Sequence, residues 1–374
     1  MGRGRNILGF TLVSLFRRKG RNAVLFTVYA LVVFMLASVL FLTRAMKREA
    51  IIILQDAPEI VVQRSLAGRR DLIPQAYLDE ITKIRGVSSA RPRLWGYYYD
   101  PVSRANYTVV VPEQYRNGTG TAVMGQGIPA TALGRRGSDI ELRAFGGSAI
   151  TLRVESPFPT VSRLAASDLI LISEEDLRRL FGVPEEYATD LEVRVRNPRE
   201  VATVAFKIAG MFPDTRIVLR EEISRTYDSI FNWRGGMLVF ILAGPVLAFL
   251  VFAWDRASGL SREEKSEIGV LKAIGWETAD VLLMKTWEGL AVSLSAFLTG
   301  IIFAWVYLSF SDATLFQKAL KGWSVLYPAF TPVPAIDAPQ VATLFFLTVV
   351  PYSMATIIPS WTAATIDPDM VMKA

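Results

Sequence analysis

Residues 22–43 of the chain, NAVLFTVYALVVFMLASVLFLT, contain no charged side chain and lie between Arg21 and Arg44. About 20 apolar residues in a helix are needed to cross the hydrocarbon core of a bilayer. The run is longer than the apolar segment of a cleaved secretory signal, and no small-residue cleavage site follows it. Similar charge-free runs occur later in the chain. We therefore predict membrane-spanning helices TM1 to TM4 at 22–43, 235–254, 289–311 and 338–360.

The composition indicates membrane helices combined with a soluble part. Hydrophobic residues make up 51% of the 374 positions, charged residues make up 20%, and the mean hydropathy is +0.32. Such a chain is too apolar for an ordinary soluble domain and too charged to consist of membrane spans alone. The segment 44–234, between TM1 and TM2, is long enough to bury a core of its own.

Basic residues before TM1 predict the orientation of the chain. No acid precedes residue 22, whereas the basic residues there are Arg3, Arg5, Arg17, Arg18, Lys19 and Arg21. Cytoplasmic flanks of spans carry such an excess, so the N-terminus should be cytoplasmic. Because this arm indicates topology, no nucleic-acid partner is expected. Alternation predicts that 44–234 is extracytoplasmic, 255–288 a cytoplasmic loop, 312–337 an extracytoplasmic loop and 361–374 a cytoplasmic tail.

The arm 1–21 is predicted to contain an interfacial helix. Residues 7–16, ILGFTLVSLF, are apolar and are followed by RRKGR. Such a helix lies along the headgroups, with its basic end near anionic lipids, so membrane lipids are expected partners. Gly20 and the closely spaced charges argue against a simple extension of TM1.

The residue types present exclude most catalytic chemistry. The chain has no Cys and no His, which removes thiol nucleophiles, imidazole bases, disulfides and most transition-metal ligands. The phosphate-binding pattern G-x-x-x-x-G-K-[ST] and the nucleophile pattern G-x-S-x-G are both absent. We expect a non-catalytic chain with no cofactor or metal of its own.

The segment 44–234 alternates between strand and helix patterns. Strand-like runs occur at 59–64, 90–99, 106–111, 149–155, 168–173, 190–195 and 215–220. Helical patterns occur at 74–84, 173–181 and 198–212. We predict an extracytoplasmic α+β domain, in which the Gly-rich stretch 117–147 could separate two lobes.

Four aromatic residues, Trp95, Tyr97, Tyr98 and Tyr99, stand close together in one predicted strand. They could line a surface for an apolar or lipid-like ligand or for an adaptor protein. They could also be the two faces of a well-packed strand pair, which is the more common role of such residues. The second interpretation is favoured.

The cytoplasmic loop 255–288 contains a short amphipathic pattern. In SREEKSEIGVLKAIGWETADVLLMKTWEGL (261–290), Ile268, Leu271 and Ile274 recur at helical spacing. Gly275 is placed to end this helix, and a second helix should lead directly into TM3. The loop could receive force from a cytoplasmic partner, or it could be a plain helical hairpin. The residues alone leave both interpretations open.

The run SEIGVLKAIGW, in this loop, resembles the E-I-G-x-L-x-A-x-G signature of FtsX-like, or MacB-type, ABC transporter permeases. Two further segments agree: LVSLFRRKGRNAVL (12–25) resembles the family's basic entry into TM1, and IIPSWTAATIDPDMVMK (357–373) resembles its ending. The chain departs from the signature at Ser266, where a basic residue is common, and at Trp276, where a small one is usual.

The resemblance implies a multi-pass permease of the bacterial inner membrane, with both termini cytoplasmic. Such a permease pairs with a second copy or a paralogue and with a cytoplasmic ABC ATPase, which would bind the ATP and magnesium. Its coupling helix, by which the ATPase docks, would comprise Glu267, Ile268, Gly269, Val270, Leu271, Lys272, Ala273, Ile274 and Gly275.

Three functions stay open at this stage. The first is mechanotransmission, in which ATP-driven closure moves the outer domain to export or release a lipid, lipoprotein, peptide or hydrophobic compound, with a periplasmic adaptor. The second is a regulatory subunit that activates an extracytoplasmic protein such as a cell-wall hydrolase. The third is a membrane receptor or scaffold that works without an ATPase.

Overall fold

The computed structural model describes residues 9–11, 13, 14, 17, 19–115, 118–155, 162–258, 262–311, 314–321 and 332–365. The chain divides into two compact units, each described separately below. The helical unit comprises Met1–Arg44, Trp233–Leu320 and Pro334–Ala374. The α/β unit comprises Ala45–Asn232 and Lys321–Val333. Most of the predicted tail 361–374 and parts of the arm 1–21 lie outside the described residues.

The α-helices, numbered in chain order, are α1 (Lys19–Gln55), α2 (Tyr77–Ile81), α3 (Arg163–Asp168), α4 (Glu174–Phe181), α5 (Val201–Met211), α6 (Arg220–Ser258), α7 (Arg262–Ala273), α8 (Thr278–Phe310), α9 (Thr314–Lys321) and α10 (Ala338–Ala364). The strands are β1 (Ile60–Leu66), β2 (Arg69–Asp71), β3 (Ile73–Pro74), β4 (Val87–Arg93), β5 (Trp95–Asp100), β6 (Ala105–Val110), β7 (Thr121–Met124), β8 (Asp139–Arg143), β9 (Ala149–Val154), β10 (Leu169–Ile172), β11 (Tyr187–Ala188), β12 (Asp190–Val195) and β13 (Thr215–Leu219). The described residues between 9 and 17 are also helical.

Four of the described helices, α1, α6, α8 and α10, are long and apolar enough to cross a bilayer, judged by length and composition. They overlap the four predicted spans. The spans were taken to end at the first charge, but α1 continues to Gln55 and α6 begins at Arg220. The charged residues that close the apolar runs are good helix formers, so the helix does not stop where the apolar run stops.

In the helical unit, three stacked rings join three of these helices. Tyr29 of α1 stacks on Phe249 of α6 with centroids 4.9 Å apart and on Tyr352 of α10 with centroids 5.2 Å apart. Phe249 and Tyr352 are 5.8 Å apart, and the three planes are within 17° of parallel. All three side chains are buried. Offset aromatic contacts of this kind add to the stabilisation that comes from burial itself.

A glycine allows the backbones of α8 and α1 to approach closely. A Cβ atom at Gly300 would lie 2.7 Å from the Cβ of Val33 and 2.8 Å from the carbonyl oxygen of Ala30. Small residues at such crossings are typical of helices that pack inside membranes. Near the other end of α1, the Nε atom of Arg44 lies 2.7 Å from the carboxylate of Asp337, the residue before α10.

The α/β unit contains two larger sheets and one pair of short strands. The first sheet has the order β13-β1-β12-β4, with β2 paired to β1, and all its pairs are antiparallel. The second has the order β5-β6-β10-β7-β9-β8, with parallel pairs at β6–β10 and β7–β9. Strands β3 and β11 pair with each other. The predicted domain of mixed helices and strands is confirmed.

The position of the Gly-rich stretch 117–147 differs from the prediction. Instead of separating two lobes, it contains β7 and β8, both of which belong to the second sheet. Strands of this sheet come from residues 95–172, which are inserted between β4 and β12 of the first sheet. Buried residues of both sheets form one hydrophobic cluster, for example Ile60, Leu191, Tyr107 and Ile170. A single core therefore joins the two sheets.

The short helix α4 shows how local sequence signals set the elements of this unit. Its N-cap is Ser173, whose Oγ accepts a hydrogen bond from the backbone N–H of Asp176 at 3.1 Å. Its C-cap is Gly182, with φ of 68°. The acidic residues of the first turn are favourable at the positive end of the helix dipole. The predicted helix start at Ser173 is confirmed.

Candidate functional site

The predicted coupling segment forms a tight helix–turn–helix in the helical unit. Gly275 has φ of +98°, which favours glycine, and its N–H donates to the carbonyl of Lys272 at 3.0 Å. The N–H of Trp276 donates to the carbonyl of Leu271, also at 3.0 Å. These two bonds define a Schellman motif, which satisfies carbonyls at the end of a helix. Helix α7 thus ends just before Gly275, where the sequence predicted a stop.

The N-terminus of the next helix, α8, is closed by a capping box. Glu277 is the N-cap of α8, and its side chain accepts from the backbone N–H of Asp280. In return, the Asp280 carboxylate accepts from the backbone N–H of Glu277 at 3.0 Å. This capping box satisfies donors at both positions and fixes the direction in which α8 begins. Helix α8 then runs without interruption to Phe310.

The inner side of α7 packs on α8 through apolar side chains. Ile268 contacts Val281, and Leu271 contacts Met284, and all four are buried. Partly buried Trp276 packs against the second pair. Burying side chains of this size stabilises the hairpin by about 1.5–3 kcal/mol each.

Ile274 does not lie where the helical spacing placed it. It was predicted on the same apolar face as Ile268 and Leu271, but its side chain is 69% exposed, whereas theirs are 7% and 5% exposed. The reason is that each three-residue step falls short of a full helical turn, so two steps carry Ile274 about 120° round from Ile268 and towards Val270, to whose carbonyl its N–H donates at 3.1 Å. The signature therefore divides into a buried side and an exposed side.

The exposed side is called the coupling surface and consists of Val270, Ala273, Ile274 and Gly275. Val270 is 56% exposed and stands one helical turn before Ile274. Of the other predicted coupling residues, Gly269 is buried, and Glu267 and Lys272 are half-buried. An exposed pair of branched apolar side chains on a well-anchored turn is suited to contact another protein.

Trp276 has a structural role that the family comparison did not suggest. Its ring lies 5.6 Å from the ring of Phe10, with an angle of 57° between the planes. Phe10 belongs to the predicted interfacial segment and packs against the buried pair Leu271 and Met284. The large residue at position 276 thus links the N-terminal segment to the hairpin.

The four aromatic residues of β5 do not form one continuous surface. Tyr97 and Tyr99 are exposed, while Trp95 and Tyr98 are half-buried. The hydroxyl of Tyr98 accepts from the backbone N–H of Arg143 at 3.0 Å. Successive side chains alternate between the two faces of the strand, as expected for a packed strand, and of the four aromatic residues Tyr97 and Tyr99 are the most exposed, at 62% and 49%.

Together, these features define a class of protein: four helices able to span a membrane, an α/β domain between the first two, and a capped helical hairpin between the second and third. Residues 236–368 match the family model described as FtsX-like permease C-terminal. This region contains the coupling surface, and its match agrees with the resemblance to FtsX-like permeases that the motif at 267–275 predicted. FtsX-like permeases are membrane subunits of ABC transporters, are generally non-catalytic, and work with a cytoplasmic ABC ATPase.

Among solved structures, the chain is similar to the extracellular domain of YknZ, a noncanonic ABC-type transporter from Gram-positive bacteria. The similarity covers 42% of this chain and 98% of that chain, with 8% sequence identity and a TM-score of 0.27. At this level of similarity no residue role carries over. A search of curated protein sequences found no match to this chain.

Proposed function

We propose that this chain couples ATP binding and hydrolysis by a separate ABC ATPase to movement of its extracytoplasmic α/β unit, as in MacB-type mechanotransmission. The movement would export or release a lipid, lipoprotein, peptide or hydrophobic compound on the outer side of the inner membrane. The working assembly would contain a second permease copy or a paralogue, together with a periplasmic adaptor. The observation that carries this proposal is the coupling surface, an exposed apolar pair on a rigidly closed turn.

The geometry of the hairpin supports transmission of force better than simple chain reversal. A plain connection between two spans needs neither a Schellman motif followed by a capping box nor two exposed apolar residues. Here Val270 and Ile274 face away from α8, while Ile268 and Leu271 anchor the same turn to it. A partner that moves the coupling surface would therefore move the start of α8 as well.

The test is recovery of an ATPase with the tagged full chain after extraction in mild detergent. Val270→Asp and Ile274→Asp each place a charge in the proposed contact without touching the buried side of α7. Each should reduce the recovered ATPase by about tenfold or more, because an unpaired charge in an interface costs at least about 1.4 kcal/mol. ATP hydrolysis by the purified sample gives a second readout.

The matched control is Ala279→Asp, which adds the same charge at another exposed position, in the first turn of α8. It lies outside the coupling surface, and an acid is favourable at that end of a helix, so ATPase recovery should stay at the level of the unchanged chain. If no ATPase accompanies the unchanged chain, or if the three variants behave alike, the proposal is wrong. The first of these results would favour a receptor or scaffold.

Leu271→Asp would not serve as a test of docking. Leu271 is 5% exposed and packs against Met284, so a carboxylate there would be buried among apolar groups. Burial of an unpaired charge disrupts packing whatever the partner does. Loss of ATPase from this variant would therefore report on the hairpin itself.

A further inference from the structure

The carboxylate of Asp190, at the start of β12, accepts hydrogen bonds from three different side chains of the α/β unit. Its side chain is fully buried. Arg93 donates to it from two nitrogens, Nε to Oδ1 at 2.7 Å and Nη2 to Oδ2 at 2.9 Å. Oδ2 also accepts from Nη2 of Arg70 at 2.8 Å and from the indole N–H of Trp95 at 2.9 Å. One carboxylate thus binds two guanidinium groups and an indole.

The charges of this cluster do not cancel. The bidentate ion pair with Arg93 already neutralises the charge of Asp190, because a guanidinium and a carboxylate carry opposite unit charges. Arg70 then adds a further positive charge, and Asp190 is its only ion-pair partner among the described residues. Partly buried charges are costly unless they are paired. The cluster therefore carries a surplus of one positive charge.

Arg70 is held in one orientation and is still reachable from solvent. Its guanidinium carbon lies 4.2 Å from the ring centroid of Trp95. Its Nη2 atom is engaged by Asp190 and, at 3.5 Å, by the carbonyl of Thr189. Its side chain is 36% exposed, and its Nε and Nη1 atoms have no hydrogen-bond acceptor within the described parts of the chain. A fixed arginine with remaining donors is prepared to bind an oxyanion.

An exposed aromatic ring stands next to this arginine. Tyr97 is 62% exposed, and its ring packs edge-on against Trp95 with centroids 5.3 Å apart. Tyrosine rings at protein surfaces provide rigid apolar contact beside polar groups. The combination of a positioned guanidinium and a neighbouring ring favours a ligand that has both an anionic group and apolar atoms.

We propose that Arg70, Trp95 and Tyr97 form a binding site for a carboxylate on an acidic segment of another extracytoplasmic protein. Arg70 would bind the carboxylate through its remaining N–H donors, and Tyr97 would contact the adjoining peptide. The site differs from the coupling surface and does not depend on an ATPase. Failure of one proposal would leave the other intact.

The site lies at one end of strand β1 in the first sheet of the α/β unit. The chain enters this sheet after α1 and leaves it into α6 at the end where Ile60 pairs with Leu219. Arg70 pairs with Ser65, near the opposite end of β1. At about 3.3 Å per residue, the two ends are roughly 17 Å apart. Arg70 and the pair Ile60–Leu219 thus lie at opposite ends of β1.

The test is binding of a fluorescein-labelled peptide, Gly-Glu-Glu-Glu-Glu, to the purified full chain in detergent at low ionic strength, measured by fluorescence polarisation. Arg70→Gln should weaken binding by about tenfold or more, since it removes a charge-assisted hydrogen bond. The matched control is Arg69→Gln, which removes the same charge from an exposed neighbour on β2 and should change affinity by no more than about twofold. The glutamine peptide Gly-Gln-Gln-Gln-Gln should not bind.

A second variant guards against loss of the fold. Arg93 and Trp95 still satisfy Asp190 in Arg70→Gln, so its thermal midpoint should stay close to that of the unchanged chain. If the thermal midpoint of Arg70→Gln falls, Arg70→Lys is used instead. It keeps the charge but loses the planar guanidinium, so it should bind the acidic peptide more weakly than the unchanged chain does. Equal losses for the changes at Arg69 and Arg70, or equal binding of both peptides, would overturn the proposal. So would displacement of the peptide by inorganic phosphate at lower concentrations than by acetate, which would indicate a phosphate site.

Discussion

The side chains of Glu49, near the end of α1, and Ser162, at the start of α3, are joined by a hydrogen bond of 2.8 Å, and both are buried. The Ser162 hydroxyl donates to the glutamate and accepts from the backbone N–H of Ala165 at 3.2 Å, so it also caps α3. The carboxylate accepts from the backbone N–H of Leu164 at 3.4 Å as well. One carboxylate thus holds the beginning of α3 against the end of α1 within the α/β unit.

We predict that Glu49→Ala lowers the stability of the chain by about 1–3 kcal/mol, because it removes the buried carboxylate that accepts from the Ser162 hydroxyl and the Leu164 N–H. Glu49→Gln keeps an acceptor oxygen and should lose less. The measurement is the thermal midpoint of the full chain in detergent, followed by tryptophan fluorescence. Arg48→Ala changes an exposed neighbour on the same helix and should have little effect. A loss for Arg48→Ala as large as that for Glu49→Ala would contradict the prediction.

The turn at Gly275 gives a second prediction. Gly275→Ala places a side chain at φ of +98°, which L-residues rarely adopt, so the turn and its two backbone bonds should weaken. Amide hydrogen exchange in the peptides that cover 270–280 should become faster by about tenfold, corresponding to roughly 1–2 kcal/mol of strain.

Gly269 supplies the control for this experiment. It lies within α7, and a Cβ atom there would meet nothing within 4 Å. Gly269→Ala should therefore leave exchange unchanged or slow it, because alanine is the better helix former. Faster exchange in both variants would show that the segment 270–280 responds to any added methyl group.

A third prediction concerns acid stability and Asp100. Burial would raise the pKa of this carboxyl, but hydrogen bonds from Ser103 and from the backbone N–H groups of Leu133 and Val102 outweigh it and hold the pKa below its usual value. A lowered native pKa stabilises the fold at neutral pH. That contribution is lost as pH falls below about 4 and through the native pKa.

Asp100→Asn should therefore cost about 1–3 kcal/mol at neutral pH, and the difference from the unchanged chain should shrink in acid. The check is a series of thermal midpoints of both chains between neutral pH and about pH 3, where the unfolded carboxyl protonates. A difference that stays constant across this range would show that the ionised carboxylate contributes nothing.

A fourth prediction tests the crossing of α8 and α1. Gly300→Ala would bring a methyl group within 3 Å of Val33 and of the Ala30 carbonyl, so the helices must separate or the chain must strain. Overpacking of this kind costs about 1–3 kcal/mol. Gly244→Ala is the control, because a Cβ atom there meets nothing within 4 Å in the described structure. The measurement is the thermal midpoint in detergent. If Gly300→Ala is as stable as Gly244→Ala, the crossing of α8 and α1 is not tight.

The membrane helices could be predicted from sequence because their signal is physical and local. A helix that crosses the hydrocarbon must be free of charge over a set length, and each run met that length. The ends of α1 and α6 could not be predicted in this way. After Arg44 the chain includes charged residues, but these are still good helix formers. The charge pattern therefore does not indicate where α1 ends.

The arrangement of the α/β unit depends on long-range pairing that local patterns do not encode. Thr108 of β6 pairs with Leu169 of β10, a neighbour that no turn connects. For the same reason the sequence did not predict the buried cluster at Asp190, because its partners Arg70, Arg93 and Trp95 lie far from it in sequence. A lone aspartate at the start of a strand has no local signal that marks it as buried.

The sequence predicted the coupling segment as a whole but not which of its residues are buried and which are exposed. Its family signature predicted residues 267–275 as one site, and helical spacing placed Ile274 with Ile268 and Leu271. Steps of three residues drift round a helix, so Ile274 lies towards Val270 rather than with Ile268. The assignment of individual residues therefore needed the structure of the hairpin.

The stack of Tyr29, Phe249 and Tyr352 has a consequence for how the protein is made. Ribosomes synthesise Tyr352 long after Tyr29 and Phe249, so the ring cluster cannot close until α10 has been made. Contacts between residues so far apart in sequence form late, and until then the side chains that will make them lack their partners. Until then, the first two spans would depend on surrounding lipid or on an insertion factor to cover the unstacked rings.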